Sequence, residues 1–131
     1  MLKGFATINY YADDLAAARK WYSSFLGLDA YFQVPGYIEF RIGDYQHELG
    51  IIDRKYATHE TGNPAGSVML WHVDDLGGTL EKLISLGAKE LQGITERGHG
   101  FVTASVVDPF GNILGIMTNP HYLEVLESSR D

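Results

Sequence analysis

The chain has no cysteine, which removes disulfides, thiolate nucleophiles and thiolate metal ligands from consideration. A bound metal would have to be held by His, Asp or Glu. Positive charge is also scarce: 10 Lys and Arg stand against 17 Asp and Glu, for a formal net charge of −7. That balance argues against nucleic acid or an anionic membrane as partner, since both favour basic surfaces. It suits a cationic small molecule, although acidity also serves solubility alone. No hydrophobic run approaches the length of a membrane span. Met1-Leu2-Lys3-Gly4 lacks the apolar stretch of a secretory signal, so the expected location is cytoplasmic. No Ser-His-Asp or phosphate-cradling pattern is present. What remains is a globular composition, 45% hydrophobic and 21% charged over 131 residues, enough for one domain with a real core.

Within that domain one pattern occurs twice. Tyr11-Ala12-Asp13-Asp14-Leu15 opens an amphipathic run closing at Leu26-Gly27, and His72-Val73-Asp74-Asp75-Leu76 opens another closing at Leu86-Gly87. A second echo pairs Glu48-Leu49-Gly50-Ile51-Ile52 with Ile113-Leu114-Gly115-Ile116-Met117. Two copies, each unable to bury its apolar face alone, imply a duplicated domain and not a solenoid.

The first copy reads as strand, helix and three strands. Residues 5–12 are aromatic and branched, and Asp13 or Asp14 caps a helix with Leu15, Ala18, Tyr22 and Phe25 on one stripe and Gly27 as its stop. Strands follow at 29–33, 37–42 and 46–53, separated by Pro35-Gly36 and Gly43-Asp44. Residues 54–66 lack apolar periodicity and form the linker. The second copy restarts with a strand at 68–73 and a helix capped by Asp75, carrying Leu76, Leu80, Leu83 and Ile84 on one face. Strands at 89–94, 101–107 and 113–118 complete it, the last two joined by Asp108-Pro109-Phe110-Gly111-Asn112. The tail, 119–131, is acidic and is expected to pack on a partner subunit or stay loose.

Two such units, with a helix after the first strand of each and Asp-Pro-Phe-Gly-Asn before the last strand, resemble the vicinal oxygen chelate superfamily of glyoxalase I, extradiol dioxygenases and bleomycin-resistance proteins. The resemblance covers residues 4–118. It implies an α+β fold: a single domain, 1–131, of two tandem βαβββ units (about 4–55 and 66–118). Their eight strands would form a cup-like mixed sheet with the helices outside. The family's metalloenzymes place ligands at four cup-facing positions. Carried onto this chain, these fall at Thr7, Gly50, Val68 and Gly115, and none of these side chains can ligate a divalent ion. The resemblance therefore implies no metal and no cofactor here.

Strand alternation assigns the remaining cup-facing residues. Asn9 and Tyr11 follow Thr7; Glu48 accompanies Gly50; Leu70 and His72 follow Val68; Met117 follows Gly115. Gly50 and Gly115 would leave a roomy floor, the general make-up of a small-molecule pocket. His72 can act as acid or base near neutral pH, or simply end its strand before the Asp74-Asp75 cap. Glu48 is either a base or counter-charge, or a rim carboxylate paired with Arg41. Asn9 and Tyr11 can orient a ligand, or Tyr11 can merely pack. His99, between Gly98 and Gly100, can close over a ligand or mark an ordinary turn. His47, His59 and His121 show no functional partner in the sequence.

Two functions fit. One is a metal-independent binding protein of the bleomycin-resistance type that sequesters a small organic drug or metabolite. Proteins of that branch imply a homodimer. The alternative is a glyoxalase-like lyase or isomerase using His72 and Glu48 for side-chain acid–base catalysis.

Overall fold

A computed structural model describes residues 1–130. The chain divides into two compact units, Met1–Pro64 with Phe110–Asn112, and Ala65–Pro109 with Ile113 onward.

The first unit contains β1 (Thr7–Ala12), α1 (Leu15–Leu26), β2 (Phe32–Val34), β3 (Tyr37–Ile42) and β4 (His47–Asp53). Its sheet has the order β1-β4-β3-β2, with β1 parallel to β4 and the other pairs antiparallel. Asp14 begins α1 by accepting the Ala17 N–H, and Gly27 ends it in the left-handed region at φ 71°, which a residue without Cβ adopts cheaply. Between these caps Ala18 and Tyr22, four apart and so on one helix face, are buried against the sheet. Tyr22 packs on Tyr10 and Phe40, with ring centroids 6.2 and 6.3 Å apart. Ile38, Phe40, Leu49 and Ile51 complete this side.

The second unit repeats the order: β5 (Leu70–His72), α2 (Leu76–Ser85), β6 (Lys89–Gly98), β7 (Phe101–Val107) and β8 (Ile113–Thr118), in a sheet β5-β8-β7-β6 with β5 parallel to β8. Asp75 caps α2 through the Gly78 N–H, and Leu76 and Leu83 are buried with Ala104, Val106, Leu114 and Ile116. The two tandem βαβββ units are thus present, as two four-stranded mixed sheets.

The structure departs from the sequence expectation in places where pairing, not propensity, decides. The strand expected at 68–73 pairs only over Leu70–His72, although the Met69 carbonyl already accepts the Gly115 N–H. The strand expected at 89–94 runs on to Gly98, because β7 offers partners along its length through three register shifts. Arg54–Tyr56 in the linker forms a 3-10 turn. The tail folds: Asn119 accepts the Tyr122 N–H, Pro120 occupies the first turn where its missing N–H costs nothing, and α3 runs Pro120–Ser128. No helix among the described residues is long and apolar enough to cross a membrane.

The tip of the Asp108–Asn112 turn belongs to the first unit, where Tyr11 and Arg54 hold it. Asn112 Oδ1 accepts the Tyr11 N–H at 3.1 Å, and its Nδ2 donates to the Tyr11 carbonyl at 3.0 Å. One side-chain amide thereby does what a neighbouring strand would do at the free edge of β1. Arg54 donates to the Phe110 carbonyl at 2.6 Å and to Thr61 Oγ1 at 2.8 Å, and pairs with Asp13 at 2.6 Å. Gly111 passes so close to Gly62 that a Cβ would lie 2.3 Å from the Gly62 carbonyl oxygen. Replacing Arg54 by Met should therefore cost about 2–3 kcal/mol, since it strands several acceptors at once. Lys, with one compact ammonium, should recover only part of it. Urea unfolding checks this; a loss within about 0.5 kcal/mol would mean the hub is dispensable.

Candidate functional site

The side of each sheet turned away from its helix carries the candidate residues. In the first unit the register aligns three rows across β1, β4 and β3: Thr7–Glu48–Arg41, Asn9–Gly50–Glu39 and Tyr11–Ile52–Tyr37. Cross-strand partners share a face, so Thr7, Asn9, Tyr11, Glu48 and Gly50 stand together. Phe32 and Val34 of β2 join them through Glu39 and Tyr37. In the second unit Leu70 and His72 pair with Gly115 and Met117, which puts these four on one face. Val68 precedes β5 and is exposed.

The glycine floor is not roomy. A Cβ at Gly50 would lie 2.6 Å from the Tyr37 ring, 2.7 Å from its hydroxyl and 2.7 Å from Asn9 Oδ1. At Gly115 it would lie 2.5 Å from Leu70 Cδ2 and 3.0 Å from Val68 Cγ1. Neighbouring side chains have moved into the volume that a larger residue would need. The same positions test the divalent ion of the family's metalloenzymes, and the residues here do not fit one. Thr7, Gly50, Val68 and Gly115 supply no imidazole or carboxylate, and a carboxylate at either glycine would collide with what now fills the space. Among the described residues no three or more His, Asp or Glu side chains gather as a metal set.

The first unit carries a charge network made of one hydrogen bond and two ion pairs. The Tyr37 hydroxyl donates to Glu39 Oε1 at 2.8 Å. Arg41 lies between two carboxylates, its Nε 3.5 Å from Glu39 Oε2 and Nη2 3.9 Å from Glu48 Oε2. Its guanidinium sits 3.8 Å over the Tyr31 ring, a cation–π contact. The Glu39 side chain is only 12% exposed, whereas Glu48 reaches solvent. Burial, then the hydrogen bond to Glu39 and the charges of Glu39 and Glu48, push the Tyr37 phenol up to about 12. The phenol is therefore a fixed donor at neutral pH. Along the sequence Arg41 stands out only as a partner for Glu48, and Tyr37 and Glu39 do not stand out at all. The signal was present: odd-numbered polar residues alternate with buried Ile38 and Phe40.

The other candidates are placed as follows. His72 lies on the open face of the second sheet with its side chain 8% exposed. Its Nδ1 accepts the Asn119 backbone N–H at 3.1 Å, and its ring stacks on Tyr122. His99 occupies an exposed two-residue hairpin: Gly98 pairs with Phe101, and His99 and Gly100 have φ 55° and 86°. Two left-handed central residues are the pattern of a tight I′ turn, not of a long loop. His59, which had no partner in the sequence reading, meets the Tyr11 ring edge-on at 5.4 Å. His47 packs beside Tyr45. A depression lined by Ala16, Arg19, Lys20, Ser23, Ser24 and Asp29 lies along α1, and the Arg19–Asp29 ion pair at 3.1 Å spans it.

The family model described as the Glyoxalase/Bleomycin resistance protein/Dioxygenase superfamily matches residues 4–116, and the chain belongs to that superfamily. Similar solved structures include a glyoxalase-related enzyme from Fulvimarina pelagi (23% identity, 91% of this chain and 90% of that one, TM-score 0.73). A lactoylglutathione lyase from Agrobacterium tumefaciens is similar at 20% identity, covering 93% and 98%, with TM-score 0.70. A bleomycin resistance determinant encoded on transposon Tn5 is similar at 20% identity, covering 90% and 99%, with TM-score 0.65. Identities this low establish a common fold and not a common chemistry. No curated protein matches the chain.

Two outcomes follow from this geometry. Gly50→Ala should destabilise the protein by about 1–3 kcal/mol, by overpacking against Tyr37 and Asn9. Unfolding midpoints for Gly50→Ala in the wild-type and Tyr37→Phe backgrounds check it, and a neutral Gly50→Ala would deny the close approach. The second concerns pH. Because the folded-state phenol of Tyr37 is raised, its stabilising contribution is complete below the ordinary tyrosine value and is lost as pH rises through the folded one. Between about pH 10 and 12 the wild-type urea midpoint should fall more than that of Tyr37→Phe. Equal falls would show that Tyr37 titrates like an exposed tyrosine.

Proposed function

We propose that the chain binds a small organic molecule on the open sheet face of its first unit, without a divalent metal. The observation that carries this reading is the composition of that face: Tyr31, Phe32 and Val34 remain exposed beside the Tyr37–Glu39–Arg41–Glu48 network. Exposed aromatics around a few fixed polar groups are the usual makings of a ligand surface. The network holds two carboxylates against one guanidinium, so its balance is negative. With the net charge of −7, that favours a cationic ligand over an anionic one. Glu48 is the carboxylate within reach, being solvent-accessible and only loosely paired at 3.9 Å.

The alternative, a glyoxalase-like lyase or isomerase, needs His72 as its acid or base. One ring nitrogen of His72 already accepts a backbone N–H, and the ring is covered by Tyr122. That engagement favours binding over catalysis. The similar solved structures include both a resistance determinant and a lyase, so they support either branch equally.

Thermal-shift measurements with planar aromatic amines and size-matched aromatic carboxylates test the reading. Amines should raise Tm by mass action, and Glu48→Gln should diminish the rise. A rise with carboxylates alone would reverse the charge assignment, and no rise with either set would overturn the binding site. A chelator should leave Tm unchanged; a fall would reveal a metal that stabilises the fold. We also propose a homodimer in the cytoplasm. Its support is the exposed apolar residues of the edge strand β6, Leu91 and Ile94. Sedimentation at micromolar concentration should give twice the chain mass of 14.6 kDa, and a monomer there would refute it.

A further inference from the structure

The imidazole of His72 joins three pieces of the second unit. Its Nδ1 accepts the backbone N–H of Asn119 at 3.1 Å. Its Nε2 lies 3.3 Å from Asp74 Oδ1. Its ring stacks on Tyr122, with centroids 4.9 Å apart and planes inclined by 13°. Asn119 is the N-cap of α3 and Tyr122 lies in that helix's first turn, so both ends of this contact secure the start of α3. Asn119 also reaches back to Met117 Sδ at 3.5 Å, on the same sheet face as His72. None of the residues of α3 is buried, and Leu123 and Val125 stay exposed. The half-buried residues of the helix are Pro120 and Tyr122 in its first turn and Leu126 further on, and its contacts to His72 all lie at the first turn.

The chemistry of this attachment depends on protonation. A backbone N–H can only donate, so Nδ1 must offer its lone pair and the single ring proton must reside on Nε2, towards Asp74. A second proton has only Nδ1 to occupy, and there it would point at the Asn119 N–H. The hydrogen bond would be replaced by two opposed donors in a place where the side chain is 8% exposed. The ionisable groups facing the ring are Asp74, from the turn after β5, and Tyr122, from α3. β8 carries no ionisable residue, and β5 carries none besides His72 itself. Asp74 favours the charged ring, but its side chain is 96% exposed and water screens that attraction. We propose that His72 is a protonation-sensitive latch: the neutral imidazole holds α3 on the end of the second open face, and the imidazolium releases it. Release would uncover His72, Met117 and Tyr122 together, giving this face two states.

The test is backbone amide relaxation of the intact protein at about pH 8 and pH 5, with the His72 ring resonances followed in the same samples. In the wild type, order parameters of the α3 amides should fall from about 0.85 to below about 0.6 on acidification, with the midpoint of the imidazole titration. His72→Gln can accept the Asn119 N–H through its amide oxygen but does not titrate, so its α3 should stay ordered at both pH values. His72→Ala should show the released helix at both. An α3 that stays ordered at the lower pH in the wild type overturns the proposal, whether or not the ring titrates. So does an acid-induced loss of order that persists in His72→Gln. Should that variant fold poorly, agreement or disagreement between the helix midpoint and the imidazole midpoint in the wild type decides the matter.

Discussion

A β-strand sends successive side chains to opposite faces, and one helix can cover only one face of a four-stranded sheet. Both units obey that constraint in the same way. In the first, α1 takes Tyr10, Ile38, Phe40, Leu49 and Ile51, and in the second, α2 takes Ala104, Val106, Leu114 and Ile116. Each large apolar side chain so buried stabilises by about 1.5–3 kcal/mol relative to exposure. The same alternation leaves Asn9, Tyr37, Glu39, Arg41 and Glu48 on the side turned away from α1. A one-residue slip in any of these strands would exchange the two sets, so core and candidate site are secured by one register.

On the first sheet, the side turned away from α1 is packed closely around Gly50. Gly50 has no Cβ, Tyr37 and Asn9 fill the space, and Tyr37 is anchored by Glu39, which is in turn close to Arg41. These contacts are local, and together they place a phenol, two carboxylates and one guanidinium around Gly50. The second sheet shows the apolar counterpart, with Leu70 and Val68 closing over Gly115. A carboxylate at either glycine would require several neighbours to move.

Membership of the superfamily constrains the scaffold and leaves chemistry to the particular side chains. The fold is shared with structures whose names span a lyase and a resistance determinant, at about one residue in five identical. What distinguishes this chain is therefore read from its own contacts. Those contacts are a half-buried carboxylate bonded to a phenol, a solvent-accessible Glu48 and exposed aromatics.

The sequence alone determined the duplication, both capped helices, the order of the eight strands and the faces of Thr7, Asn9, Glu48, His72 and Met117. These follow from local signals: Asp before an apolar stripe, Gly after it, and a period of two along each strand. Residue identity also shows that Thr7, Gly50, Val68 and Gly115 offer no imidazole or carboxylate. Tertiary structure decided what could not be seen along the chain. Which neighbour fills the space beside a glycine depends on cross-strand register, and so Tyr37 emerged only when Ile52 and Gly50 were placed beside it. His72 looked like a catalytic candidate because an imidazole at a strand end is chemically versatile. Only the return of Asn119 and Tyr122, nearly fifty residues later, gave that ring its hydrogen bond and its cover.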